Sequence, residues 1–251
     1  MSARTPIAAA LVAAGLFATI PLAEAGTIRW NEISHEDGIK VWQRKIPGQS
    51  LVEFRGRGIV NNSFLKILAV LHDTKRKTEW MDSCVGSHKV RTIGPGKVVM
   101  YNRTGSTVPL INDRDVVMES NVDIWPDKRR ITIDVWNVTD PKMPEVDGVV
   151  RMPELRASWV LNALAENRTE ITYTVRADPG GAIPHWLVNM VAKRLPFRTL
   201  QKLRKQVVKS GYEGELAAVK SSFDWSGFDF AKPEPPAAMK PLEPAASAAN
   251  P

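Results

Sequence analysis

The chain has 251 residues, of which 43% are apolar, a formal charge of +7 at neutral pH and a single cysteine, Cys84. One cysteine cannot form an intrachain disulfide, so a disulfide-stapled fold is excluded. The apolar share is instead large enough to fill the core of one good-sized domain. We expect Cys84 to be a small buried side chain rather than a nucleophile.

Residues 1–25 have the pattern of a cleaved secretory signal. Arg4 precedes an apolar run over residues 7–23, and Ala23-Glu24-Ala25 is the small-x-small pattern that signal peptidases accept. The run is short for a membrane span of about 20 apolar residues, and glycine and proline interrupt it. We therefore expect cleavage near Ala25 and a periplasmic or secreted protein. A retained membrane anchor is the alternative.

The elements that follow are predicted to be strands around one short helix. Gly38–Ile46 and Leu51–Val60 alternate polar and apolar residues on either side of a proline-glycine turn, which predicts a hairpin. Asn62 or Ser63 then caps a helix over residues 64–71. Runs rich in β-branched and aromatic residues predict five further strands: Val98–Arg103, Arg114–Trp125, Arg130–Val138, Leu155–Ala163 and Glu170–Ala177.

Alternation along the second of these five strands indicates which side is apolar. Val116, Met118 and Ser120 lie on one face. Glu119 and Asn121 lie on the other face. Two strands, a helix, a run of antiparallel strands and a last helix make an α+β layout, in which an amphipathic helix covers the apolar face of a curved sheet.

The last helix is predicted to be long and basic. A glycine-rich turn over residues 178–181 precedes Pro184, which suits the first turn of a helix, and Pro196 is expected to kink the helix midway. Apolar residues at three- and four-residue spacing form one face: Leu187, Val191, Leu195, Leu200, Leu203 and Val207. Seven cations with no acid among them form the other: Lys193, Arg194, Arg198, Lys202, Arg204, Lys205 and Lys209.

The composition changes near the C-terminus. From Ala231 onward the chain consists mainly of Pro, Ala and Glu, which cannot bury enough apolar surface to offset the entropy of ordering. We expect one domain over residues 26–212. The C-terminal extension, residues 213–251, is expected to be disordered from about residue 231.

Sequence motifs of catalytic or metal chemistry are missing. The four histidines are far apart and show no metal-ligand spacing with Cys84 or a carboxylate, so neither a metal site nor a cofactor is expected. Gly56-Arg57-Gly58 and Gly94-Pro95-Gly96 lack the continuation of a phosphate-binding loop and are interpreted as turns or bulges. His72-Asp73 suits an acid–base pair, but favourable placement at a helix end is the simpler interpretation.

Several short motifs follow one another in a fixed order: Glu79–Asp82, Arg114–Val117, Trp159–Leu161, Thr169–Tyr173, Asp178–Pro184, Trp186–Asn189 and Leu203-Arg204. With these motifs the chain resembles the START lipid-transfer family over residues 30–212. The resemblance implies a helix-grip fold, in which a curved antiparallel sheet wraps around the long C-terminal helix and a tunnel between them holds one lipid. It also implies a non-enzymatic protein that binds and transfers a single phospholipid or sterol-like molecule.

By analogy and register, both the sheet and the helix are expected to line this tunnel. The expected wall consists of Val99, Tyr101, Val116, Met118, Ser120, Ile133, Val135, Trp159 and Tyr173 from the sheet, with Leu187, Met190, Val191 and Leu195 from the helix. Cholesterol-binding members of the family carry an acidic residue and an arginine where this chain has Tyr101 and Ser120, so that charged pair is missing. Arg103 is the nearest cation and meets a ligand phosphate if it faces inward. Its alternative role is a solvated strand end.

The loop before Arg114 and the basic helix are expected to meet the membrane. The loop has an apolar tip, and in the family a loop at this position helps to close the tunnel. It is therefore expected to cover the cavity or touch the bilayer, with permanent packing in the core as the alternative. The residues concerned are Val108, Leu110 and Ile111 in the loop, with Arg198, Lys202 and Lys205 on the helix for transient docking on an anionic surface.

Two other functions stay open at this point. Related helix-grip proteins include polyketide cyclases, and the acid–base groups available for such an enzyme are Tyr101, Arg103, Tyr173 and His185. The basic helix also suits phosphate contacts with nucleic acid, but export and the commitment of its other face to the sheet argue against a nucleic-acid partner. We expect a monomer whose partners are a lipid and a membrane surface.

Overall fold

The computed structural model of the protein describes residues 29–106 and 111–229. The expected signal peptide, the loop residues Val108 and Leu110, and the tail from residue 231 lie outside the described residues. Among the helices that are described, none is long and apolar enough to cross a membrane.

Within these residues the chain forms ten strands, four α-helices and two short 3₁₀ helices. The strands are β1 Asn31–Glu36, β2 Ile39–Lys45, β3 Val52–Val60, β4 Cys84–Gly94, β5 Lys97–Thr104, β6 Asp113–Trp125, β7 Arg130–Asn137, β8 Val149–Arg151, β9 Glu154–Ala165 and β10 Arg168–Asp178. The α-helices are α1 Phe64–His72, α2 His185–Ala192, α3 Leu195–Gln206 and α4 Glu213–Ser222. The 3₁₀ helices span Lys75–Glu79 and Pro126–Lys128.

The ten strands belong to one curved sheet with the order β1-β2-β3-β10-β9-β7-β6-β5-β4. Neighbours in this order are antiparallel, and the short β8 pairs in parallel with β6 outside it. Helix α3 packs against β2, β3 and β10, whereas α1 packs against α4 and β9. This is the α+β helix-grip fold that the resemblance implies.

The hairpin, the first helix and the five later strands predicted from the sequence are all present. Ser63 caps α1, because its Oγ accepts a hydrogen bond from the Lys66 backbone N–H at 3.3 Å. Strands β1, β4 and β8 and helix α4 are additional to the prediction. β1 is exposed along its whole length and β4 shifts register three times against β5, so neither shows a clear period of two.

The C-terminal helix is divided into α2 and α3 rather than kinked. Pro196 lies in the first turn of α3, where its missing N–H removes no hydrogen bond, so the proline starts a new helix. α3 packs closely against the sheet, and its residues Leu200 and Leu203 are 1% and 0% exposed. Every residue of α2, in contrast, is at least partly exposed.

Gly56 and Gly58 lie inside β3 and face α3, so their interpretation as turn residues is wrong. A Cβ on Gly56 would lie 2.8 Å from Pro196 Cβ and 3.2 Å from Leu200 Cδ1. A Cβ on Gly58 would lie 3.2 Å from Arg204 Nη2. The two glycines therefore allow the helix to approach the strand more closely than any other residue would.

Asp115, in the arginine-aspartate motif that begins β6, forms a buried ion pair. Its carboxylate is 1% exposed and accepts hydrogen bonds from Arg151 Nε at 2.6 Å and Arg151 Nη2 at 3.1 Å. Arg151 also donates to the Met143 carbonyl oxygen at 3.2 Å. This bidentate pair joins the segment between β7 and β9 to the sheet, which gives the motif a structural role.

Candidate ligand-binding cavity

A cavity of about 470 Å³ lies between one half of the sheet and helices α1 and α4. Strands β5, β6, β7 and β9 contribute alternate residues to its wall, and α1 contributes Leu68 and Leu71. The lining is mainly apolar, and the volume falls within the range of about 300–1,000 Å³ that is typical of small-molecule sites. Burial of an apolar chain in such a space would favour binding by about 0.8 kcal/mol per CH₂ group.

Six of the residues expected in the tunnel wall line this cavity: Met118, Ser120, Ile133, Val135, Trp159 and Tyr173. Trp159 and Tyr173 are directly paired across β9 and β10, and their rings stack with centroids 4.1 Å apart. Trp80 packs edge-on against Trp159 at 6.4 Å. Burial raises the pKa of Tyr173, so the phenol stays neutral. Contact between these six residues and a ligand stays a prediction.

Val99 and Tyr101 lie on the opposite face of the sheet, so their expected place in the wall is wrong. Met100 stands directly opposite Met118 in the pairing of β5 with β6, and opposed side chains share a face. The β5 residues that line the cavity are therefore Val98, Met100 and Asn102. The run Val98–Tyr101 is apolar or aromatic at every position, so alternation could not distinguish its two faces.

Arg103 shares the outer face with Tyr101 and does not line the cavity. Its Nε donates a hydrogen bond to Asp113 Oδ2 at 2.7 Å, and its side chain is 40% exposed. The solvated strand end is thus its observed role. Val116 lies on the cavity side but packs beside the cavity, against Met118, without entering the lining.

The helix residues expected in the wall lie elsewhere. Met190 is 50% exposed and Val191 is 67% exposed, while Leu187 is half-buried. Leu195, at the start of α3, packs against the main core. The reason is the break between the two helices, which leaves α3 over β2, β3 and β10 and makes α1 and α4 the helical wall of the cavity.

The cavity wall contains a lysine that no sequence pattern distinguishes. Lys77, in the 3₁₀ helix after α1, is 6% exposed, and its Nζ donates to Met100 Sδ at 3.1 Å. A thioether is a weak acceptor, and among the described residues no carboxylate forms an ion pair with this ammonium. Burial lowers the pKa of Lys77 from 10.5 to about 8, against smaller raising effects of Cys84 and Asp73. The cavity wall therefore holds a hydrogen-bond donor without a strong acceptor.

The other groups with possible chemistry have structural roles. His72 Nδ1 lies 2.7 Å from Glu215 Oε2 of α4, and Asp73 Oδ1 accepts hydrogen bonds from two backbone N–H groups of the following 3₁₀ helix. Cys84 is buried as expected, and burial raises the pKa of its thiol. In the described part of the chain, no group of three or more potential ligands is placed to hold a metal ion.

The comparison with protein families agrees with this architecture. The family model of the START domain matches residues 24–211. The chain belongs to the START-domain family. START domains are known for lipid binding and transfer.

Individual relatives of this START domain come from bacteria and animals. The chain is 29% identical to an uncharacterized protein of Pseudomonas aeruginosa, over 72% of this chain and 87% of the relative. It is 25% identical to rat phosphatidylcholine transfer protein, over 65% of this chain and 77% of the relative. A solved STAR-related lipid transfer protein fragment from Xanthomonas axonopodis matches with a TM-score of 0.66 and 29% identity, over 72% of this chain and 99% of the fragment.

An acidic residue from outside α3 partly neutralises the basic face of this START domain. Asp82 Oδ1 accepts a hydrogen bond from Lys202 Nζ at 2.6 Å, and Asp82 Oδ2 lies 3.7 Å from Arg198 Nη1. Lys205 is exposed. The positive field of the helix is therefore weaker than the seven cations in the sequence suggest.

Ile111, the described member of the loop that is expected to cover the cavity, is half-buried, and its role stays a prediction.

Helix α2 presents apolar side chains to solvent. Trp186 is 68% exposed, and Met190 and Val191 are exposed beside it. The helix is attached by a polar side chain. Asn189 Oδ1 accepts a hydrogen bond from the Val52 backbone N–H at 3.0 Å, and Asn189 Nδ2 donates one to the Ser50 carbonyl oxygen, in the loop before β3, at 3.1 Å. This attachment holds the helix while leaving Trp186, Met190 and Val191 uncovered, and we call these three residues the α2 apolar patch.

Proposed function

We propose that this START domain is a non-enzymatic carrier that takes one phospholipid into its cavity and transfers it between membranes. The observation that carries the proposal is the buried Lys77 ammonium at the wall of an apolar cavity. A lipid phosphate would replace its weak thioether acceptor with a charge-assisted hydrogen bond, which is about twice as strong as a neutral one. A sterol offers no such anion. The likeness to a phosphatidylcholine transfer protein also supports a phospholipid.

A carrier must touch the membrane to load, and the α2 apolar patch supports such a contact. Exposed apolar clusters mark interaction surfaces, and tryptophan is favoured where apolar and aqueous phases meet. Lys205 is exposed for contact with anionic head groups, whereas Arg198 and Lys202 are partly engaged with Asp82. We therefore assign docking mainly to apolar insertion of α2. Electrostatic attraction is a secondary contribution.

The proposed carrier acts outside the cytoplasm and as a monomer. The signal-like pattern of residues 1–25 supports export, and lipid exchange between membranes needs no second subunit.

The alternative enzyme finds less support in the site. Of the acid–base groups considered for it, Tyr101 and Arg103 lie on the outer face of the sheet. His185 is exposed at the start of α2. Tyr173 alone of these groups, all of which lie in the described residues, lines the cavity. The four groups considered for the enzyme therefore do not come together in the cavity as the acid–base pair that a cyclase reaction requires.

The proposal is tested with the full-length protein, loaded from vesicles of phosphatidylglycerol and phosphatidylcholine and examined by native mass spectrometry. We expect one phospholipid per chain. Lys77→Met is expected to lower the affinity for phosphatidylglycerol at least about tenfold, because a hydrogen bond to a charged group contributes about 1.5–3 kcal/mol. Lys97→Met is the matched control, since Lys97 is an exposed lysine of β5 outside the lining. A cavity that stays empty after loading would contradict the proposal, as would equal losses in the two variants.

A further inference from the structure

The first part of the C-terminal extension is packed onto the START domain, although it lies beyond the residues that the family model matches. Residues 213–229, which we call the packed extension, follow the matched range of 24–211. Within them Val219 is 1% exposed and Phe228 is 6% exposed, as in a domain core. The segment is therefore a fixed part of the fold rather than a free tail.

Aromatic and polar contacts attach the packed extension to α1. Phe228 stacks on Phe64 with ring centroids 4.6 Å apart, and aromatic pairs of this kind add to the stabilisation from burial. At the other end of α1, the His72 imidazole meets the Glu215 carboxylate. Because these contacts lie at the two ends of α1, they hold the packed extension along the length of that helix.

The packed extension contributes its own residues to the cavity wall: Ala218, Ser222 and Phe223. The Phe223 ring lies against the turn between β4 and β5, where a Cβ on Gly96 would be 2.9 Å from Phe223 Cε1. Gly96 also has a φ of +66°, so the turn needs glycine both for its conformation and to leave room for the ring. The ring and the turn together form one end of the cavity.

The ammonium of Lys77 lies away from this end. Lys77 contacts Met100 of β5, which is four residues after Gly96 in the turn that precedes this strand. At about 3.3 Å per strand residue, these positions are roughly 13 Å apart. A phospholipid whose phosphate meets Lys77 would thus extend its chains along β5 towards Phe223.

We propose that the packed extension closes the cavity at the Gly96 end and that Phe223 and Ala218 set the length of the acyl chains that this protein accepts. The inference rests on the proposed function, because it requires a phospholipid whose phosphate is held near Lys77. Each buried CH₂ group contributes about 0.8 kcal/mol, equivalent to about a fourfold change in affinity. A ring that blocks the end of the cavity therefore discriminates strongly between chains that differ by a few carbons.

The test offers the full-length protein an equimolar mixture of phosphatidylglycerols with lauroyl, myristoyl, palmitoyl and stearoyl chains, and reads the bound species by native mass spectrometry. Phe223→Ala lengthens the cavity and is expected to raise the ratio of stearoyl to myristoyl lipid at least about tenfold. Ala218→Phe fills the cavity and is expected to lower this ratio by a similar factor. Ala217→Phe is the matched control, because Ala217 is the exposed neighbour of Ala218 on α4.

The outcomes separate the inference from the function on which it rests. If the unaltered protein binds none of the four lipids, the proposed function fails and this inference fails with it. If it binds them and the ratio is the same in Ala218→Phe and Ala217→Phe, the packed extension does not select chain length, although the carrier function stands. If circular dichroism shows that Phe223→Ala does not fold, the comparison of Ala218→Phe with Ala217→Phe still decides the question.

Discussion

Replacement of Lys77 by methionine should stabilise the lipid-free protein. The native pKa of Lys77 is lowered from 10.5 to about 8, because burial disfavours the charged ammonium. At about 1.4 kcal/mol per pKa unit, this difference means that the charge costs the native state about 3 kcal/mol. Methionine has a similar volume and no charge, so it removes the cost without leaving a void. We expect the free energy of unfolding at pH 7 to rise by about 3 kcal/mol.

The gain should depend on pH with a defined sign. Between about pH 8 and pH 10.5 the unfolded lysine is protonated while the native one is neutral, so the unfolded state binds more protons and the stability of the unaltered protein rises with pH. The advantage of Lys77→Met is therefore constant below about pH 8 and declines towards zero as the pH approaches 10.5. Other groups that titrate in this range are present in both proteins and largely cancel in the difference.

Urea denaturation of the delipidated proteins between pH 7 and pH 10 measures this difference directly. Lys97→Met, at an exposed lysine of the same region, should stay within about 0.5 kcal/mol of the unaltered protein at every pH. A Lys77→Met variant that is no more stable at pH 7, or whose advantage does not decline with pH, would refute the reasoning. The ammonium would then have an acceptor that lowers the cost of its burial.

Three further substitutions, the first with a matched control, test the fold and the membrane contact. Asp115→Asn should lower the free energy of unfolding by about 3 kcal/mol, because Arg151 loses its buried carboxylate. Asp113→Asn, in the more exposed pair with Arg103, should lower it much less. Equal losses of stability in urea would contradict this ranking. Gly56→Ala should destabilise by about 1–3 kcal/mol, since its Cβ would push α3 away from β3, and unchanged thermal unfolding would contradict it. Trp186→Ala should slow the transfer of a fluorescent phospholipid between vesicles several-fold, while its free energy of unfolding stays within about 0.5 kcal/mol of that of the unaltered protein. An unaltered transfer rate would show that α2 is not part of the docking surface.

The sequence was sufficient to locate strands and to orient those whose two faces differ in polarity. In β6, Glu119 and Asn121 mark the side away from the cavity, and Met118 and Ser120, which were predicted to face inward, lie in the lining. β5 has no such marker, because its central residues are apolar on both sides. Its face is determined by the pairing of Met100 with Met118, which depends on register across strands and is not encoded in β5 alone.

The buried lysine of the cavity, Lys77, and the helical wall could not be predicted from periodicity. Lys77 follows Lys75 and Arg76 in the chain, and nothing in that run of three cations distinguishes the one that turns inward. In the structure Arg76 pairs with Glu79 at the surface while Lys77 is buried. Phe223 and Phe228 follow helix α4 outside any helical period, and their contribution depends on what the β4–β5 turn and α1 place opposite them. Such contacts become visible only when distant segments are brought together.

The two halves of the sheet meet opposite requirements. Under α3 the sheet is closely packed, and glycine in β3 removes even the Cβ so that Leu200 and Leu203 are almost fully buried. The other half must keep an internal space, which an apolar interior tends to eliminate. Here the buried Asp115–Arg151 pair stiffens the outer face of the strands, and α1 with the packed extension spans the inner face without filling it. A protein that holds a ligand in an internal space must fold before that ligand arrives. The half that binds α3 supplies the stability for this, and under the proposed function the half with Lys77 stays incomplete until a lipid binds.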